Sequence, residues 1–177
     1  MFYCDLPQIF GPDPLYKQEE GIEMLKKNYG ITAPQQIFEQ IYCGLCTNED
    51  FQHLYGHLKI ESLRWDLVRL PTAVFAEVRR NSTFPDYVLE VSDDYKNCGA
   101  QFRIDGREEV AEHWEKHGTW DEPPMFIDRS LVYPGENGLH LMEGHTRLGT
   151  LLGAINYGFV KLADMHQIYL AIKNRTE

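Results

Sequence analysis

The stretch 139-LHLMEGHTRLG-149 decides how the C-terminal part of this chain folds. Its first half is rich in apolar residues and predicts a strand, which Gly144 interrupts. A helix is predicted directly afterwards, because apolar residues recur at the spacing of one helix face. These residues are Leu148, Leu151, Leu152 and Ile155. Gly149 and Gly153 leave the opposite side of this helix thin, so we expect that side to lie close against a sheet.

The junction at Gly144 has the features of an anion-binding site. The first backbone N–H groups of a helix have no partner within the helix, and the positive end of the helix dipole adds to their attraction for a phosphate. Arg147, in the first turn, can donate two charge-assisted hydrogen bonds to the same phosphate. The alternative is a plain strand–helix junction whose amides meet water and whose Arg147 pairs with a carboxylate such as Glu143.

Three side chains near this junction are candidates for chemistry on a bound group. His145 carries an imidazole whose unperturbed pKa lies near neutrality, which suits proton transfer or a hydrogen bond to phosphate. Asp128 and Glu143 are expected to flank the same mouth, where their carboxylates suit a metal or the proton of a substrate hydroxyl. The plainer alternative is that all three are ordinary polar groups on the surface of an acidic chain.

The order of predicted elements after residue 105 resembles the core of the ParB/sulfiredoxin superfamily. In that core a helix and a turn lead into a strand that begins at proline. A second strand then runs into a Gly-x-x-Arg turn, a helix and a closing strand. The matching segments here are residues 107–117, 123–128, 139–143, 144–147 and 167–172. The resemblance covers about the last 70 residues and implies a small mixed sheet, so the predicted fold class is α+β.

The resemblance also implies a ligand. Gly144, Thr146 and Arg147 would grip the phosphates of ATP or CTP, with magnesium neutralising their charge and His145 beside them. His145 stands where sulfiredoxins carry a reactive cysteine, so repair of a thiol phosphate is not expected. Partition-type members add further nucleotide motifs and a basic helix-turn-helix domain, and this sequence shows neither.

Charge and composition limit the partners. The chain has 17 basic and 27 acidic residues, giving a formal charge of −10. Because duplex DNA is held mainly by Lys and Arg, this balance opposes DNA binding and favours a basic protein partner. The sequence has neither a signal peptide nor an apolar run of the roughly 18 residues that a membrane span needs. We therefore expect a cytoplasmic protein with no membrane partner and with reduced cysteines.

Residues 1–80 are predicted to form a helical region. Helices are expected over residues 15–29 and 32–45, and a third begins at a capping box formed by Thr47 and Asp50. Tyr16, Ile22, Leu25 and Tyr29 are available for burial on the first of these helices. The apolar segment that follows Leu70 could begin a helix at Pro71 or alternate as a strand, and we favour the helix.

A turn cluster at residues 81–86 predicts the boundary to an α+β core over residues 81–177, packed with the helical region as one unit. Strands are expected over residues 87–91 and 100–104. Asp105 and Glu108 form a capping box for the helix that carries Trp114, which we expect to fill the interface between helix and sheet.

A zinc site is the alternative use of four residues in the helical region. Cys43 and Cys46 stand at i, i+3, and His53 and His57 at i, i+4, so each pair shares a helix face. The spacing between the pairs is shorter than that of a zinc finger. The simpler interpretation is two buried thiols and two surface imidazoles.

Three functions follow from these observations. The first is a protein that binds a nucleotide or a phosphorylated small molecule at residues 144–147, with phosphoryl transfer or hydrolysis as its chemistry. The second is a non-enzymatic acidic binding protein on a ParB-like scaffold, for example an immunity or antitoxin protein that masks a basic toxin. A metal-dependent nuclease is the third.

Overall fold

A computed structural model of the protein describes residues 1–78, 80–98 and 107–174. They form an α+β fold with a four-stranded mixed sheet, which confirms the predicted class. The helices are α1 (Leu6–Phe10), α2 (Gln18–Tyr29), α3 (Glu49–Tyr55), α4 (Thr72–Val78), α5 (Pro85–Cys98), α6 (Glu108–His117) and α7 (His145–Tyr157). The strands are β1 (Leu63–Pro71), β2 (Met125–Asp128), β3 (Leu139–Glu143) and β4 (Met165–Lys173), in the order β1-β4-β2-β3. Within the described ranges, no helix combines the length and the apolar character that crossing a membrane requires.

Contacts within the chain divide it into two units that are discontinuous in sequence. The first unit consists of Met1–Asp66, Ile127–Gly138 and Leu170–Glu177. The second unit consists of Leu67–Phe126 and Leu139–Tyr169. The boundary predicted between residues 80 and 81 therefore lies inside the second unit.

The first helix that the sequence predicts corresponds to α2 and is shorter than predicted. Helix α2 begins at Gln18 rather than at residue 15, because Pro14 opens a separate 3₁₀ turn over Pro14–Lys17. Ile22 and Leu25 are buried as expected. Tyr16 and Tyr29 are not, and their exposed fractions are 86% and 47%. The expectation that these two tyrosines join the core was wrong.

The next two predicted helices are present with altered detail. The segment Ile37–Cys43 is a π-helix, and it buries five of its seven residues. Helix α3 is capped by Asn48 and not by Thr47, since the Asn48 side chain accepts a hydrogen bond of 3.0 Å from the amide of Phe51. The N-terminal region is not wholly helical, however, because residues 1–80 also contain the nine-residue strand β1.

In the second unit, α5 replaces a predicted strand. Residues 87–91 lie within α5, so the strand expected there was wrong, and the strand expected over residues 100–104 lies outside the described residues. Val88, Val91 and Tyr95 are buried and recur at i, i+3 and i+7, which is helical spacing. Helix α4 begins at Thr72, close to the predicted start at Pro71.

Helix α7 packs on α5 through its glycines. A Cβ added at Gly149 would lie 2.6 Å from the Cβ of Val91, and one added at Gly153 would lie 2.7 Å from the ring of Tyr95. The expectation that these glycines face a sheet was therefore wrong, because their close neighbour is a helix. The Tyr95 hydroxyl lies 3.1 Å from the Thr150 hydroxyl, so a hydrogen bond also joins the two helices.

The predicted order of elements in the C-terminal part is confirmed. Helix α6 begins after Arg107, whose side chain does not cap it, and the predicted capping residue Asp105 lies outside the described residues. Strand β3 has its predicted bounds, and β4 extends its predicted segment at both ends. Trp114 is buried, as expected.

Candidate functional site

Gly144 forms the junction between β3 and α7. Its backbone has φ 100° and ψ 32°, a left-handed conformation that side chains disfavour. A Cβ at this position would also lie 2.5 Å from the Cβ of Pro124. Both constraints require glycine, so the abrupt change from strand to helix depends on this one residue.

The junction leaves the first amides of α7 available. The first intrahelical bond runs from the amide of Leu148 to the carbonyl oxygen of Gly144 at 2.9 Å. The amides of His145, Thr146 and Arg147 come before that bond in the chain, and no side-chain cap accepts from the N-terminus of this helix. No capping side chain therefore occupies the predicted anion-binding site.

A cavity of about 600 Å³ lies beside these amides, entirely within the second unit. Its lining includes three aromatic side chains, which are Phe84, Tyr87 and Trp114. It also includes charged side chains of both signs, which are Arg107, Arg147, Asp121, Glu122 and Glu143. A ligand in this cavity would therefore meet apolar rings, amide donors and a mixed electrostatic surface.

Arg147 is bound by acceptors of the protein itself. Its Nη2 donates to Glu143 Oε2 at 2.6 Å, and its Nη1 donates to the carbonyl oxygens of Glu122 at 3.0 Å and Pro123 at 3.4 Å. The sequence offers this pairing with Glu143 as the alternative to a bidentate contact between Arg147 and a phosphate. A ligand that used the guanidinium would have to compete with the Glu143 carboxylate.

His145 lines the cavity as a neutral imidazole. Burial and the nearby positive charge of Arg147 lower its pKa to about 4. Its ring lies 5.3 Å from the ring of Phe84, and its Nε2 atom is buried without a hydrogen-bond partner among the described residues. The neighbouring Thr146 hydroxyl lies 3.2 Å from the hydroxyl of Tyr87. At neutral pH, His145 therefore cannot act as the cationic phosphate donor that its unperturbed pKa suggests.

The three predicted chemical groups do not all meet. Glu143 and His145 line the cavity, but Asp128 does not. The Asp128 carboxylate lies in the first unit, where it accepts hydrogen bonds from the amide and the hydroxyl of Ser130 at 2.9 and 2.8 Å. Its role is to cap the short turn that follows β2, so the expectation that it flanks the mouth was wrong.

The four residues of the alternative zinc site also have separate surroundings. Cys43 and Cys46 are buried, and the Cys43 thiol donates to the carbonyl oxygen of Pro14 at 3.2 Å. Burial raises the pKa of both thiols, that of Cys46 to about 12. His53 and His57 are exposed. Across residues 1–78, 80–98 and 107–174, no group of three or more His, Cys, Asp or Glu side chains is placed to hold a metal ion.

Sequence reasoning missed part of the cavity wall. Phe84 and Tyr87 were assigned to a turn and a strand, although Tyr87 belongs to α5 and its hydroxyl reaches Thr146. The helical spacing of Val88, Val91 and Tyr95 was the signal that would have placed Tyr87 on a helix. Arg107 was seen only as the start of a helix.

Comparison of the chain with family models, curated proteins and solved structures finds no match. The resemblance to the ParB/sulfiredoxin superfamily therefore stays a prediction.

Proposed function

We propose that the second unit binds a small anionic ligand, of the nucleotide or phosphate-ester class, in the cavity at the N-terminus of α7. The observation that carries this proposal is the row of uncapped amides at His145, Thr146 and Arg147 beside a cavity of about 600 Å³. Helix N-termini bind phosphate because their free N–H groups and the helix dipole act together. A cavity of this size suits a ligand larger than a phosphate ion.

The walls support a ligand with an apolar or aromatic part. Phe84, Tyr87 and Trp114 offer rings to a base or a similar group, while the amides take the anionic end. The acidic side chains Glu122 and Glu143 disfavour a highly charged phosphate chain unless a cation accompanies it. ATP or CTP with magnesium therefore fits better than the bare nucleotide.

Hydrolysis or phosphoryl transfer at this site would rely on few groups. Glu143 is one of the carboxylates that line the cavity, but its Oε2 already accepts a hydrogen bond from Arg147 at 2.6 Å. Neutral His145 can accept a proton at one ring nitrogen. Asp128 has no part in this chemistry. We therefore propose binding as the function of this site, with hydrolysis or phosphoryl transfer as the chemistry of a bound phosphate ester.

Two substitutions test the binding proposal, because they are expected to change the affinity for the ligand in opposite directions. Glu143→Gln removes a negative charge and releases the Arg147 guanidinium, so affinity should rise about tenfold, the value of one charged hydrogen bond. Arg147→Ala removes a positive charge, so affinity should fall by about the same factor. The measurement is isothermal titration with ATP, CTP, GTP and ADP in the presence of magnesium, and with inorganic phosphate.

Glu49→Gln is the matched control, because Glu49 is exposed on α3 of the first unit and the substitution makes the same change of charge. It should leave affinity unchanged. Absence of heat with every ligand would refute the proposal. So would equal affinities for the Glu143→Gln and Glu49→Gln variants.

A second candidate function is that of a non-enzymatic protein that binds a basic partner such as a toxin. It is favoured by the formal charge of −10 and by exposed apolar side chains near the acidic start of α2. Leu15 and Tyr16 are 67% and 86% exposed, and Glu19 and Glu20 follow them. A stoichiometric complex that weakens between low and physiological salt, and that the Tyr16→Lys variant fails to form, would support it.

A metal-dependent nuclease has the least support. The described residues gather no set of three metal ligands, and the chain is acidic. Incubation with plasmid DNA and magnesium or manganese tests this function directly, and intact plasmid would exclude it.

A further inference from the structure

A buried histidine outside the proposed binding cavity joins two threonine hydroxyls. His166, at the start of β4, has no exposed surface. Its Nε2 lies 2.9 Å from Thr72 Oγ1, and its Nδ1 lies 2.8 Å from Thr119 Oγ1. All three residues belong to the second unit, and both ring nitrogens are engaged.

The hydrogen bonds assign the protons of this group. The single hydroxyl proton of Thr72 is donated to the carbonyl oxygen of Ala163, at 2.8 Å. With that proton engaged, the Thr72 oxygen is left to accept from His166, and we assign the imidazole proton to Nε2 on this basis. Its Nδ1 then has a free lone pair, and the Thr119 hydroxyl donates to it. The network thus leaves a hydroxyl paired with an imidazole base that a third residue orients.

Aromatic rings keep the imidazole neutral. The ring of Phe75 lies 5.7 Å from that of His166 at 90°, and the ring of Trp120 lies 5.1 Å away. This burial lowers the pKa of His166 to about 4. The lone pair on Nδ1 is therefore present throughout the physiological range. So weak a base suits only substrates with a good leaving group.

Thr119 also lines a second, smaller cavity of about 220 Å³. Arg69 lines the same cavity, and its exposed guanidinium has no hydrogen bond or ion pair with any residue that the structure describes. An available cation beside a hydroxyl that is paired with a base is suited to stabilise an oxyanion. Thr119 and Arg69 therefore line one cavity together with the acidic side chain of Asp121, whereas His166 contacts the Thr119 hydroxyl without lining the cavity.

We propose that Thr119 is a nucleophile for acyl transfer from an activated ester. The Thr119 Oγ1 attacks the ester carbonyl carbon while its proton passes to Nδ1 of His166, and Arg69 stabilises the oxyanion. The bond to the leaving oxygen then breaks, that oxygen takes the proton from Nδ1, and Thr119 is left as an ester. Thr72 is a positioning residue, because it acts only through the imidazole.

The test uses p-nitrophenyl acetate as the ester. Release of nitrophenol is followed by absorbance, and the intact mass and peptide map of the protein locate the acetyl group. The parent protein should gain one acetyl group on Thr119. Thr119→Val keeps the size of the side chain and removes the hydroxyl, so the acetyl group at this position should be lost and the early phase of nitrophenol release should disappear. Thr72→Val should retain acetylation of Thr119 at a rate reduced about tenfold.

Thr47→Val is the matched control, because Thr47 is an exposed threonine of the first unit. It should react like the parent protein. Arg69→Ala alters an exposed side chain, so it should slow acetylation about tenfold without changing the melting temperature, and it keeps the test valid if Thr119→Val fails to fold. Acetylation confined to lysines, or a rate that Arg69→Ala leaves unchanged, would overturn the proposal.

Discussion

Gly149→Ala tests the close packing of α7 on α5. The added Cβ would lie 2.6 Å from the Cβ of Val91 and 2.9 Å from the carbonyl oxygen of Val88. Because the second of these atoms belongs to the backbone, a change of rotamer cannot relieve the clash. Overpacking of this kind costs about 1 to 3 kcal/mol, whereas replacing a helical glycine by alanine gains at most about 1 kcal/mol. The clash is the larger effect, and we expect a net loss of about 1 kcal/mol.

The assay is urea denaturation followed by circular dichroism, together with thermal melting. A loss of about 1 kcal/mol should lower the melting temperature by about 2 to 4 °C in a chain of this length. Lys96→Ala, at an exposed position of α5, serves as the control and should change the free energy of unfolding by less than about 0.5 kcal/mol. If Gly149→Ala were as stable as the parent protein or more stable, the two helices would have to lie further apart than the structure places them.

Three further predictions concern stability. The pKa values of His166 and His145 are each lowered from 6.5 to about 4 on folding, so the unfolded chain binds these protons first as the pH falls, and each histidine should account for a loss of about 3 kcal/mol of stability across that interval. Urea denaturation at several pH values measures this loss, and a flat profile would contradict it. A double-mutant cycle on Arg147 and Glu143 should give a coupling energy of about 0.5 to 1 kcal/mol by the same method, and a value of zero would show that the pair is unimportant. Asn48→Ala should destabilise by about 1 kcal/mol through loss of its cap, whereas Asn48→Asp should not, and equal stabilities of the two variants would rule out capping.

The sequence predicts some elements to the residue and misses others, for physical reasons. The end of β3 and the start of α7 follow from Gly144, because a left-handed glycine ends one element and opens the next. Helix α5 was mistaken for a strand because residues 87–91 have high β propensity, and its contacts with the glycine side of α7 override that preference. Strand β1 was not predicted, although Leu63, Trp65 and Leu67 alternate with polar residues at the spacing of a half-buried strand.

The sequence places the candidate site at the junction of β3 and α7, but the contacts there were not fully predictable. Glu143 and Arg147 stand four residues apart on either side of Gly144, so their pairing was available from the sequence as an alternative. The carbonyl oxygens of Glu122 and Pro123 reach Arg147 only through the tertiary fold, and no local pattern indicates them. The contact between Thr119 and His166 joins residues 47 positions apart and has no sequence signature at all.

The interleaved course of the chain bears on how the protein folds during synthesis. The amide of Asn174 donates to the carbonyl oxygen of Ser62, and His57 lies 3.2 Å from the carbonyl oxygen of Leu131, so the first unit is tied together by residues from distant stretches. The N-terminal helices therefore cannot complete their native contacts until residue 174 has left the ribosome. A nascent chain halted at residue 80 would lack the residues that complete these contacts. It would therefore stay partly folded and would bind chaperones.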